Sequence, residues 1–102
     1  MFGRRRFGEL VERQLELFAS DEASLLAEAG AADTAWTHAD RGRSEELFGD
    51  YQLVADAVAE RLLDVREAYA STLEDDVAGE YRSAFDRAAK KRFRSFTGLL
   101  DG

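Results

Sequence analysis

The apolar residues between Ser44 and Leu73 recur every three or four positions, and this spacing constrains the fold more than any other feature of the sequence. Residues three and four apart lie on one face of an α-helix, so the series predicts one long amphipathic helix over about residues 44–73. Its apolar face consists of Leu47, Tyr51, Val54, Val58, Leu62, Val65, Tyr69 and Leu73. Ser44 is the expected N-cap, because its hydroxyl can accept a free backbone N–H of the first turn.

A second amphipathic series follows three consecutive acidic residues, 74–76, which favour a helix N-terminus because the helix dipole is positive there. The series predicts a helix over about residues 74–96, with Ser71 or Thr72 as its cap. Its apolar face consists of Val77, Tyr81, Phe85, Ala88 or Ala89, Phe93 and Phe96.

The two predicted helices have matching apolar faces when they are packed antiparallel. The arrangement places Leu62 opposite Phe85 and Val58 opposite Ala89, and it pairs Glu60 with Arg87 and Asp56 with Lys91. We therefore predict an antiparallel helical hairpin. The alternative is one continuous rod, because only the acidic residues mark the turn.

The N-terminal part of the chain predicts a third helix, over about residues 8–28. Its apolar face consists of Phe7, Leu10, Val11, Leu15, Phe18, Leu25 and Leu26. The pattern weakens between Ala19 and Ser24, where a kink with Ser20 as a cap is the alternative to the continuous helix that we expect. Residues 29–43 predict a linker, because glycines lie near both of its ends and glycine is a natural helix stop.

The composition agrees with an all-α fold in one domain, residues 1–102. Ala, Glu, Lys, Leu and Arg make up about half the chain, and there is no proline and no isoleucine, so strands are not expected. The sequence thus predicts a three-helix bundle or a dimeric helical bundle. Long amphipathic helices in so small a chain favour a homo-oligomer, since a second copy would cover apolar faces that one copy leaves open.

The net charge of −7 is unevenly distributed. Residues 1–7 form a basic arm with three arginines, residues 87–94 carry five cations and no acid, and residues 8–86 have twenty acids against six arginines. The two basic ends allow binding to nucleic acid or to an anionic membrane surface. The acidic middle disfavours this alternative, because it repels a polyanion.

No catalytic or metal-binding motif is present in the sequence. Cysteine is absent, and the only histidine, His38, has Ala35 rather than a glutamate three positions before it. We therefore expect no catalytic residue, no metal ligand and no cofactor, and hence no enzyme. A carboxylate metal site or small-ligand site on the stripe of Asp56, Glu60, Asp64 and Glu67, formed in an oligomer, is a further alternative.

By elimination, the sequence predicts a non-enzymatic helical module for protein–protein interaction: a small adaptor, assembly factor or accessory subunit that self-associates. The predicted contact residues are the groups that the hairpin does not use internally, namely Arg4, Arg5, Arg6, Phe7, Phe18 and Trp36. The N-terminal segment lacks the apolar stretch of a secretory signal, and this predicts a cytoplasmic location.

Overall fold

The computed structural model describes residues 7–94, and these residues form four α-helices. We number them α1 (Gly8–Asp21), α2 (Ala23–Thr37), α3 (Ser44–Ala70) and α4 (Asp75–Arg92). No β-strand occurs within this range. The predicted all-α fold is therefore confirmed for the described part of the chain.

The hairpin of α3 and α4 is antiparallel, as predicted, and its turn covers residues 71–74. Arg66 of α3 binds Asp86 of α4, whereas Glu67, one residue later, binds Arg82. The residue number on α4 falls as the number on α3 rises, which is what an antiparallel pair requires. The alternative of one continuous rod is excluded.

The core positions of the hairpin agree with the sequence, but its ion pairs do not. The apolar residues that we placed opposite one another are all buried: Leu62, Phe85, Val58 and Ala89. Within residues 7–94, neither Glu60 with Arg87 nor Asp56 with Lys91 forms an ion pair. The ion pairs between the helices are those of Arg66 and Glu67, because α4 faces the side of α3 that carries these two residues.

The predicted continuous helix over residues 8–28 is wrong, since the chain is interrupted at Glu22 between α1 and α2. The Glu22 amide still donates to the Phe18 carbonyl at 2.8 Å, and the Leu26 amide donates to the Glu22 carbonyl at 2.9 Å. The Glu22 carboxylate accepts a hydrogen bond from Arg61 of α3 at 3.1 Å. This contact holds the interruption against α3, and no cap at Ser20 is involved.

The predicted linker over residues 29–43 is too long, because α2 continues to Thr37 and only residues 38–43 connect it to α3. Gly30 lies inside α2, and a Cβ atom there would have no neighbour within 4 Å, so this glycine costs helix propensity without ending the helix. Gly42 lies in the connection. The Asp40 carboxylate accepts a hydrogen bond from the Arg43 amide at 3.1 Å, and this bond stabilises the turn that leads into α3.

Neither predicted helix cap forms. Ser44 is the first residue of α3 and follows Arg43 at the N-cap position, and the Arg43 side chain makes no capping hydrogen bond. The hydroxyls of Ser71 and Thr72 donate backwards, to carbonyls of α3 at 3.1 and 2.7 Å, and Glu74 occupies the N-cap position of α4. Both hydroxyls lie beside carbonyls of the last turn of α3, so these groups are their nearest partners.

The C-terminal half of α3, together with α1 and α4, forms a three-helix bundle. Its large buried residues are Phe7, Val11, Leu15, Phe18, Val58, Leu62, Tyr81, Phe85 and Phe93. Phe7 contacts Tyr81 near the start of α1 and α4, and Phe18 contacts Phe93 near their ends. The two helices are therefore parallel to each other and antiparallel to α3.

The N-terminal half of α3 extends beyond this bundle. Counting six residues along each helix from the Arg66–Asp86 pair brings Arg92, the last residue of α4, level with Glu60 of α3. The residues of α3 before Glu60 therefore lie past the end of α4, and the first fourteen of them, 44–57, precede the first buried residue of the helix, Val58. At 1.5 Å per residue they span about 20 Å.

Among the helices of residues 7–94, α2 is the one that packs along this part of α3. The pair is antiparallel, because the residue before α2, Glu22, bonds Arg61, whereas Trp36 near the end of α2 contacts Phe48. We call residues 23–57 the two-helix extension. The described chain therefore consists of a three-helix bundle and, next to it, a pair of helices that pack on each other along one contact, which we call the seam.

Candidate functional site

Two of the predicted contact residues are part of the core. Phe7 packs edge-on against Tyr81 with 5.5 Å between ring centroids, and Phe18 packs in the same way against Phe93 at 5.6 Å. Both are buried, because α1 lies directly on the hairpin. We had expected the hairpin to leave them free for a partner, and the structure corrects this. Arg4, Arg5 and Arg6 lie outside the described residues.

Trp36, the remaining predicted contact residue, is half-buried at the tip of the two-helix extension. Its ring stacks on Tyr51 at 5.8 Å with 13° between the planes, and it lies 4.9 Å from the ring of Phe48. Burial, and secondarily the nearby charge of Asp33, raises the pKa of Tyr51. This aromatic cluster of Trp36, Phe48 and Tyr51 holds α2 on α3 and leaves Phe48 36% exposed.

The apolar residues of the two-helix extension are incompletely covered. Ala29 is its one buried residue, and the larger apolar side chains along the seam are all half-buried: Leu25, Leu26, Trp36, Leu47, Tyr51 and Val54. In the described part of the bundle, by contrast, nine large side chains are buried, although others at its margins, such as Leu10 and Val65, are half-buried as well. Helices bury their apolar stripes completely only when further elements pack on them, and the extension has two helices where the bundle has three.

Leu53 is the most exposed large apolar residue among residues 7–94, at 73%. It lies nine residues before the buried Leu62, so it points to the opposite side of α3 from the core. Asp50, Asp56 and Glu60 surround it on the helix surface. We call these four residues the acidic face. Sequence reasoning missed Leu53 because it falls outside the apolar series, although a leucine among acidic residues was itself a signal.

The extension is also strongly acidic. Residues 23–57 contain seven acidic residues and two arginines, a formal charge of −5 with His38 neutral. Both arginines lie in the connection between α2 and α3, where Arg43 forms an exposed ion pair with Glu46 at 3.5 Å. No basic residue lies within α2 or within residues 44–57 of α3, so the acidic face has no compensating charge on the extension.

A groove of about 530 Å³ lies between α1 and α4, on the bundle. Apolar side chains form its floor: Val11, Leu15, Ala84 and Ala88. Three cations and one acid line its rim: Arg87, Lys91, Arg92 and Glu12. We call this surface the basic groove. The sequence did not predict it, because it depends on how α1 meets α4 and on the small residues at that contact, including Gly8.

Four side chains form a separate ion-pair network that holds the hairpin. Arg66 donates to Asp86 at 2.8 and 3.0 Å and to Glu67 at 2.8 Å. Arg82 donates to both oxygens of Glu67, at 2.8 and 2.9 Å. The bonds from Arg82, with a further contribution from Arg66, lower the pKa of Glu67 to about 2, against the opposing effect of burial. This network stabilises the fold. It includes Glu67, which is one of the four carboxylates of the predicted acidic stripe.

The buried phenol of Tyr81 ties α4 to α1. Its hydroxyl donates a hydrogen bond to Gln14 Oε1 at 2.7 Å, and Phe7, Tyr69 and Phe85 contact its ring. Burial raises the pKa of Tyr81 to about 12. The phenol is therefore a neutral structural donor across the physiological range.

The described residues contain no group of three or more histidine or carboxylate side chains that could hold a metal ion. His38 is exposed and its Nδ1 bonds the Thr34 carbonyl at 3.0 Å, so the ring closes the end of α2. None of the helices in residues 7–94 is long and apolar enough to cross a lipid bilayer. The expected cytoplasmic location goes beyond that finding and stays a prediction.

Comparison of the chain with protein-family models, with curated proteins and with solved structures finds no match.

Proposed function

We propose that this protein is a non-enzymatic helical module for protein–protein interaction, that it self-associates, and that the two-helix extension is its contact element. The observation that carries the proposal is the exposure of Leu53, 73%, on an element whose large apolar side chains along the seam are only half-buried. A two-helix pair that extends from a bundle is open to a third helix along its length, and a partner can supply that helix.

A single exposed leucine is ordinary on a protein surface. The extension differs because it also carries Phe48 and Trp36, which are partly exposed on a different side of α3 from Leu53, and aromatic residues are common anchors at protein interfaces. Burying one leucine side chain stabilises a contact by about 1.5–3 kcal/mol. Several such side chains together can support a specific interface.

The proposal is tested by sedimentation velocity of the untagged full-length chain and of two variants. Leu53→Gln removes the apolar contact on the extension, whereas Leu17→Gln is the matched control, because Leu17 is also exposed, at 58%, but lies on α1. We expect the wild type and Leu17→Gln to associate with increasing concentration and Leu53→Gln to associate more weakly. A wild type that stays monomeric, or equal association of all three chains, would overturn the proposal.

A further inference from the structure

We propose that the basic groove between α1 and α4 receives the acidic face of a second copy of this chain. The inference rests on the proposed function, because it names the surface that the extension binds during self-association. Each copy then contributes two different surfaces: the acidic face on α3 and the basic groove on the bundle.

The shapes of the two surfaces fit each other. The floor of the groove consists of Val11 and Leu15 beside the small residues Ala84 and Ala88, so a side chain can descend between the helices. A volume of about 530 Å³ exceeds what one leucine needs, and it accommodates one face of a helix with Leu53 at its centre. Apolar side chains set into the space between two helices form the ordinary contact of three-helix packing.

The charges are complementary as well. The acidic face carries three carboxylates, those of Asp50, Asp56 and Glu60. The rim of the groove carries three cations, Arg87, Lys91 and Arg92. None of these six side chains forms an ion pair within residues 7–94. Complementary charges around an apolar centre steer the encounter and fix its orientation. An arrangement with the carboxylates of one copy beside the cations of the other satisfies both sets at once.

The charge distribution also selects this contact over a symmetric one between two extensions. Residues 23–57 carry −5, so two extensions side by side would place −5 next to −5. Opposing patches of like charge disfavour association. A contact between an acidic face and a basic groove is heterologous, which leaves one free surface of each kind on a pair of copies and leads to rings or open chains rather than a closed dimer.

Two complementary variants of the full-length chain test the inference. Leu53→Gln disables the acidic face and keeps the groove, whereas the double variant Arg87→Glu/Lys91→Glu disables the groove and keeps the face. All three changed side chains are exposed, so we expect the core to stay intact. Circular dichroism of each variant checks this. The control for net charge is Arg13→Glu/Ser20→Glu/Ser83→Glu, which lowers the charge by the same four units at exposed positions outside both the groove and the two-helix extension.

We expect each disabling variant alone to be monomeric, with a dissociation constant raised about tenfold or more. An equimolar mixture should form a one-to-one complex of twice 11.4 kDa and nothing larger, since only one functional face and one functional groove remain. The charge control should associate like the wild type. If the groove variant still self-associates while Leu53→Gln does not, the extensions bind each other, so the inference is overturned and the proposed function stands. If neither variant differs from the wild type, both are overturned.

Discussion

Replacing Glu67 by glutamine should lower the stability of the protein at neutral pH and have no such effect in strong acid. Glu67 accepts hydrogen bonds from Arg66 and Arg82, and its pKa falls from 4.5 to about 2. A carboxyl with a lowered folded-state pKa stabilises the fold above its unfolded-state pKa, and this stabilisation disappears as the pH falls from about 4.5 to about 2.

The size of the effect follows from the shift and from the exposure of the group. A shift from 4.5 to about 2 sets an upper limit of about 3.4 kcal/mol at 1.36 kcal/mol per pH unit. The Glu67 side chain is 44% exposed, so solvent screens its ion pairs and we expect about 1–1.5 kcal/mol at neutral pH.

Urea denaturation followed by circular dichroism measures this difference, at one protein concentration, near neutral pH and near pH 2. The control is Asp64→Asn, which removes an exposed carboxylate from the same helix that has no ion pair within residues 7–94. The free energy of unfolding of Glu67→Gln should be lower than that of the wild type near neutral pH and equal to it near pH 2. An equal loss at both pH values would refute the ion-pair explanation.

Three further changes test other parts of the fold. Tyr81→Phe removes the hydrogen bond to Gln14 and should lower the free energy of unfolding by about 1 kcal/mol, measured by urea denaturation. Because the raised pKa of about 12 favours the neutral phenol in the folded state, alkaline unfolding of the wild type should set in between about pH 10 and 12, and it should shift in Tyr81→Phe. Gly79→Ala should raise the melting temperature, with a gain of about 0.5–1 kcal/mol, because its Cβ atom would meet no neighbour within 4 Å on α4. Trp36→Ala should cost about 1–2 kcal/mol, less than a buried tryptophan, and hydrogen exchange should speed up at the tip of the extension while the bundle stays protected.

Sequence reasoning succeeded where large apolar residues recur regularly. The series from Leu47 to Leu73 located α3 to within a few residues, and the acidic residues 74–76 marked the turn correctly. It failed over residues 29–37, which contain alanines and one tryptophan but no regular series of large side chains. That stretch is helical because alanine has the highest helix propensity and α3 offers it a surface, and a search for apolar periodicity detects neither factor.

The functional surfaces were predictable only in part. Trp36 lies on α2, outside the hairpin, and its role as a contact residue stays a prediction, whereas Phe7 and Phe18 became core residues once α1 lay on α3 and α4. The basic groove depends on the register between α1 and α4, and nothing local in the sequence determines that register. Leu53 was predictable from the sequence, because it is a leucine within a run of carboxylates on the polar side of α3.

The mass of the untagged wild-type chain in solution tests the central claim, self-association, most directly. Native mass spectrometry over a series of concentrations should give species at multiples of 11.4 kDa whose share rises with concentration and falls with added salt, because salt screens the charges at the contact. A single species of 11.4 kDa at every concentration would contradict the account.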